Sequence, residues 1–164
     1  MKNYRFDSRS EAEFKEDIKH CSKVEQELMQ KYVDYLNLSG DGVYTFVNNG
    51  VDNSGEYIKD NKKVSSEPDF ILYKDGGRPY KMEVKHCNPE RDVFHLKVNH
   101  VTSCIMKKAY ILNWMGLATA NPRFCLISPE QLEESIRTKQ PVIFPAWSKS
   151  CYKFPCHEFQ WVTL

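Results

Sequence analysis

Between Ser8 and Gly40 the run SRSEAEFKEDIKHCSKVEQELMQKYVDYLNLSG places Val24, Leu28, Tyr32 and Tyr35 at helical spacing, on one predicted core face. Ser10 with Glu13, and Ser22 with Glu25, are both spaced as capping boxes, so the run predicts one helix or two joined near His20–Ser22. Gly40 and Gly42 end it. VYTFV, Val43 to Val47, predicts a strand, and the Asn-, Asp-, Gly-, Ser- and Lys-rich stretch from Asn48 to Lys63 predicts a long loop. Two further strands, Asp69–Lys74 and Tyr80–His86, flank the turn DGGRP. A second long helix is predicted from His95 to Met115, burying Val101, Ile105, Ala109 and Leu112. Its other face would carry Lys97, His100, Cys104, Lys107 and Lys108. RFCLI predicts a strand, and SPEQLEESIRTKQ a helix with Ser128 as N-cap, Pro129 in the first turn and Gln131 at the capping-box position. The aromatic, proline-broken tail predicts strand and loop packed back on the rest. The resulting order, αβββαβα and a tail, is that of an α/β fold with a mixed sheet.

Composition narrows the class. At 164 residues the chain is expected to form one domain with a single core, and 41% hydrophobic and 13% aromatic residues argue for a compact globule rather than a disordered tail. Lys and Arg number 23 against 22 acidic residues, a net charge of +1, which neither announces nor excludes a nucleic-acid partner, because a basic face can hide in a neutral sum. No membrane-length apolar run or signal-peptide pattern is found, so a soluble intracellular protein, cytoplasmic or nuclear, is expected. Six scattered cysteines are then expected as free thiols, and the spacing of Cys151, Cys156 and His157 fits no zinc pattern.

The stretch SSEPDFILYKDGGRPYKMEVKHC carries Asp69, Glu83 and Lys85 on its two predicted strands. Side chains alternate along a strand, so Glu83 and Lys85 share one face while Met82, Val84 and His86 share the other. A two-residue loop at Gly76–Gly77 would turn Asp69 away from Glu83. A loop of three or five residues, which the glycines of DGGRP suit, would bring Asp69 to the Glu83–Lys85 face. Two carboxylates about 5 Å apart repel by roughly 3 kcal/mol at an effective dielectric near 20, so such a cluster needs a counter-charge. Lys85 is one and a divalent cation would be another. A hard cation with a nearby lysine is what metal-assisted phosphodiester hydrolysis requires.

PDF, followed by EVK with its glutamate fourteen residues after the aspartate, resembles the PD-(D/E)xK nuclease superfamily of restriction endonucleases and Holliday-junction resolvases. The resemblance implies a restriction-endonuclease-like αβββαβ core, here about residues 22–128, with 129–164 as a C-terminal extension. It implies Asp69 and Glu83 as ligands of Mg²⁺, with Mn²⁺ able to substitute, the carbonyl of Val84 as a third oxygen, and Lys85 as the residue that orients the attacking water. VEQELMQKY is similar to the resolvase-type helix, which implies Glu25 as a further ligand, and Ser65 or Ser66 loosely matches a resolvase serine. The chain departs from the pattern in the Asn48–Lys63 insertion, in Met106 where one branch has glutamine, and in lacking the four-cysteine cluster of iron–sulfur members.

Each of these residues also has a plainer reading. Asp69 after proline also reads as the end of a loop or an acceptor of turn hydrogen bonds, Glu83 and Lys85 as a solvated strand face with a cross-strand ion pair, and Glu25 as the glutamate of a capping box begun at Ser22. Lys97, His100, Lys107 and Lys108 are either the wet side of a helix or phosphate contacts beside a cleft. Lys59, Lys62 and Lys63 would make the insertion a substrate-contacting loop. Lys149 and Lys153, interleaved with Trp147, Tyr152 and Phe154, either stack single-stranded bases or pack as a lid. The expected function is a Mg²⁺-dependent nuclease, acting on DNA before RNA and as a possible homodimer, with an RNA-directed nuclease or a non-catalytic binding module as rivals.

Overall fold

The structure, a computed structural model, describes residues 10–49, 67–146 and 148–164. Most of the predicted insertion, with Lys59, Lys62 and Lys63, lies outside the described residues, as do Ser65, Ser66 and Trp147. The chain forms two compact units, Met1–Pro79 and Tyr80–Leu164.

In the first unit the N-terminal run is one helix, α1 (Glu11–Leu38), opened by the Ser10–Glu13 capping box. The Glu13 carboxylate accepts from the Ser10 backbone N–H at 2.7 Å, and the Ser10 hydroxyl accepts from Glu13 N–H at 3.2 Å. The second box is not used. Ser22 lies inside the helix, because no glycine or proline interrupts the run before Gly40 to release the backbone there. The buried stripe is Phe14, Leu28, Met29, Tyr32 and Val33, turned slightly from the predicted one: Val24 is half-buried and Tyr35 is exposed. Gly40, at φ 73°, carries the chain out of the helix in a left-handed conformation that costs glycine nothing. The Asn37 side chain then clamps both backbone groups of Tyr44, accepting from its N–H at 2.7 Å and donating to its carbonyl at 3.1 Å. Strand β1 (Tyr44–Asn48) pairs antiparallel with β2 (Phe70–Lys74), from Tyr44 opposite Lys74 to Asn48 opposite Phe70.

After β2 the turn is centred one residue earlier than Gly76–Gly77. Asp75 and Gly76 both take positive φ, 52° and 66°, and Gly77 N–H donates to the Lys74 carbonyl at 2.9 Å. Paired positive φ values are the mark of the turns that match strand twist, and aspartate tolerates them better than most residues. Four residues, Asp75 to Arg78, separate Lys74 from Pro79 instead of three or five. The loop arithmetic that would set Asp69 beside Glu83 therefore does not apply.

The second unit is built on two sheets. Strand β3 (Pro79–His86) runs parallel to β5 (Tyr110–Met115); β6 (Arg123–Ile127) is antiparallel to β5, and β9 (Val162–Thr163) to β6. Strand β4 (Val93–Lys97) pairs with β8 (Lys149–Pro155), which also pairs with β7 (Val142–Phe144), all antiparallel. Helices α2 (Val98–Lys107) and α3 (Pro129–Ile136) complete it. The fold class is α/β with a mixed sheet, as expected, and the αβββαβ order is present with β4 inserted ahead of α2.

The predicted helix from His95 to Met115 is wrong at both ends. VFHLK alternates half-buried and buried positions as a strand, and YILNWM is a short apolar run with five of its six residues buried. Such a run reads equally as buried strand or helix, since a strand covered on both faces has no alternation to show. Only ten residues are helical, and α2 stops at Lys108, whose φ of 54° is left-handed. Val101 is buried as predicted, but Cys104, placed with the lysines, is buried in the core among Phe94, Leu96, Ile111, Ile127 and Leu132.

Helix α3 begins as predicted. The Ser128 hydroxyl accepts from Gln131 N–H at 3.1 Å and the Gln131 carboxamide accepts from Ser128 N–H at 2.9 Å. Ser128→Ala should cost about 1 kcal/mol, read as a lower urea midpoint at unchanged slope. The tail supplies β7, β8 and β9. Phe154, fully buried, stacks on Phe94 at 5.3 Å between ring centroids, so it is core and not a base-stacking platform. None of the six cysteines forms a disulfide, and none of the described helices is long and apolar enough to cross a membrane.

Candidate active site

Strand alternation gives β3 two unlike faces. Met82 and Val84 are buried, while Glu83 and Lys85, between and after them, are half-buried. Two positions on one face of a strand stand near enough for a lysine to reach back to a glutamate. Lys85 Nζ lies 2.6 Å from Glu83 Oε1, and the two side chains keep 26% and 16% of their exposure. Much of the hydration of both ions is thus gone, and their attraction with its hydrogen bond offsets that cost. Removing either partner alone would leave a poorly solvated charge.

The neighbouring strand fixes what lies beside the pair. In the parallel register Glu83 faces Ile111 and Lys85 faces Asn113. Asn113 in turn faces Cys125 on β6, whose thiol burial pushes far up and keeps protonated. Among the described residues Asn113 is the only polar or charged one that is buried, at 5% exposure, and its Nδ2 has no hydrogen-bond partner among them. Sequence reasoning missed it, because YILNWM was assigned to a helix. The available signal was a lone asparagine in an apolar run. His86 is registered with Trp114 on the alternate face, away from Glu83 and Lys85, as strand alternation predicts. Val84 is fully buried, its position in the ladder opposite Leu112.

The other predicted residues are each placed by their own element. Asp69 follows buried Pro68 and precedes β2; its backbone carbonyl accepts from Asn49 N–H at 2.8 Å. Phe70 and Leu72 are the buried positions of β2, so alternation puts Asp69 on the half-buried side with Ile71 and Tyr73. Glu25 stands three, four and seven residues ahead of Leu28, Met29 and Tyr32, on the stripe α1 buries, and is half-buried where Glu27 is exposed. Since no helix starts at Ser22, the capping reading of Glu25 is withdrawn. Lys97 ends β4, His100 lies in the first turn of α2, Lys107 is its last residue and Lys108 its left-handed cap; the four do not share one helix face. Among the described residues no three His, Cys, Asp or Glu side chains are gathered as a metal-binding group.

No family model matches the chain, and no curated protein does. Among solved structures it is similar to Hjc of Archaeoglobus fulgidus, a Holliday junction resolvase from an archaeal hyperthermophile. The identity is 11% and the TM-score 0.44, over 82% of this chain and 86% of that one.

Proposed function

We propose that the protein is a Mg²⁺-dependent nuclease that hydrolyses phosphodiester bonds, as an endonuclease on DNA. The observation that carries this reading is the half-buried Glu83–Lys85 pair on the strand that follows the PDF motif. The donor chemistry fits a hard divalent cation: the carboxylates of Asp69, Glu83 and Glu25 and the carbonyl of Val84 are all oxygen ligands, the kind Mg²⁺ and Mn²⁺ prefer. In the structure the positive partner of Glu83 is the Lys85 ammonium. When bound, the cation supplies Lewis-acid stabilisation of phosphate oxygens and lowers the pKa of a water.

The chain's own residues divide the remaining work. Glu83 holds Lys85 by its carboxylate, which fixes the ammonium on one face of β3. From there the ammonium donates to the attacking water or to a phosphate oxygen, placing positive charge where negative charge grows. Val84, fully buried in the ladder, keeps the two flanking side chains in register. Lys97, His100, Lys107 and Lys108 would meet phosphates along the nucleic acid, with Lys62 and Lys63 as further contacts. A homodimer is part of the proposal.

Cleavage of supercoiled plasmid, a four-way DNA junction and an RNA duplex tests the reading. Both DNA substrates should be cut with Mg²⁺ or Mn²⁺, and RNA more slowly. Chelator should slow cleavage by at least ~10³-fold, the rate equivalent of several kcal/mol. Binding without cutting in either metal would favour a non-catalytic module, and cutting of RNA alone would reassign the substrate.

A further inference from the structure

A buried carboxamide nitrogen with no acceptor is costly relative to a paired one, and such groups in native proteins call for an explanation. Asn113 is that case. It lies one strand over from Lys85 at the same register, where neighbouring strands are about 4.8 Å apart, and on the same face. Its row across the sheet is Lys85, Asn113, Cys125. The flanking positions along β5 on that face, Ile111 and Met115, are apolar and fully buried. Ile111 offers no acceptor, the Met115 thioether is a weak one already taken by Arg91 N–H at 3.3 Å, and the Cys125 thiol is weak too. Trp114 Nε1 is also unpartnered, but alternation puts it on the opposite face.

We infer that Asn113 is a positioning residue of the Glu83–Lys85 site, whose carboxamide N–H is reserved for an oxygen acceptor that the ligand brings. Two sources share that chemistry: a water carried by a divalent cation, and a non-bridging oxygen of a phosphate group. Either would lie between the Lys85 ammonium and the Asn113 amide and receive one hydrogen bond from each. A planar donor on a central strand, beside the lysine, would add a second hydrogen bond from a different direction and fix the acceptor in one place where the lysine alone would not. The inference rests on the nuclease reading for the identity of the ligand, but its first test does not use activity.

The side-chain NH₂ signals of Asn113, assigned by their loss in Asn113→Leu, are followed by NMR with Mg²⁺ alone, inorganic phosphate alone, and both. A downfield shift with Mg²⁺ alone identifies a metal-borne water, and one that requires phosphate identifies a phosphate oxygen. No shift in any arm overturns the inference. A second test uses stability and kinetics together. Asn113→Leu should unfold at the same temperature or higher, because the unpaired donor is gone, while kcat for DNA cleavage falls about 10²-fold with KM little changed. Asn113→Asp, the same shape without the donor, should lose a similar factor. A wild-type kcat in Asn113→Leu, or a loss that merely follows a lower melting temperature, would overturn the positioning role. If the wild-type protein cuts nothing while its Asn113 signals still move with Mg²⁺, the nuclease reading fails and the assignment of Asn113 stands.

Discussion

Asp69→Ala is expected to lower Mg²⁺-dependent cleavage of supercoiled plasmid by at least ~10³-fold, the loss of several kcal/mol of transition-state stabilisation, while leaving the protein folded. Asp69 closes the β1–β2 ladder through its backbone: its carbonyl takes the Asn49 N–H, and alanine keeps that bond. Asp69 sits in a bend ahead of Phe70 without a left-handed φ, so alanine meets no backbone strain there. The same cannot be said of Lys85→Ala, which would leave the Glu83 carboxylate 16% exposed and without its ammonium, so that lost activity and lost stability would be entangled. Circular dichroism and the thermal midpoint establish that Asp69→Ala is folded. If it then cut DNA at the wild-type rate, or if neither protein cut at all, Asp69 would not belong to an active site.

The second large effect concerns the tail. Phe154→Ala should destabilise the Tyr80–Leu164 unit by about 3–5 kcal/mol, the range for deleting a buried aromatic ring, measured from the guanidinium midpoint. Phe154 is fully buried in β8, stacked on Phe94 of β4 and in contact with Phe159 at 6.0 Å, with the Lys139 ammonium 5.7 Å over its ring. Little around it can collapse inward, since Phe94 is held in turn by Phe159 and Trp161. Against a typical domain stability of roughly 5–15 kcal/mol, such a loss would leave much of the protein unfolded at 37 °C. A cost below about 1 kcal/mol, the scale of an ordinary mutation, would mean that β8 is a peripheral strap.

Local chemistry was the legible part. The capping boxes at Ser10 and Ser128, the strands Tyr44–Asn48 and Arg123–Ile127, and the pairing of Glu83 with Lys85 all follow from contacts within a few residues, and all are present. What was illegible depends on partners distant in the chain. YILNWM is a strand because β3 and β6 flank it, and nothing inside those six residues separates that outcome from a buried helix. Asn113 was hidden by the same error, for a residue counted on a helix face has no strand neighbour to be compared with. The stripe on α1 shifted because burial follows what packs against it, which spacing alone does not specify. The turn after β2 leaves four residues between the strands where three or five were expected, because DGG offers two glycine-containing centres and only backbone pairing chooses between them.

The pairing of β4 with β8 carries a consequence for how the chain is made. Lys97 is opposite Cys151, so β4 waits on the ribosome for a partner 54 residues downstream, which at roughly 5–20 residues per second is several seconds of synthesis. During that interval β4 offers an open edge bearing Phe94 and Leu96, the kind of surface that captures other strands. Shortened forms ending before Lys149 would never close that edge. They should accumulate as insoluble protein even though every residue of the PDF and EVK motifs is intact.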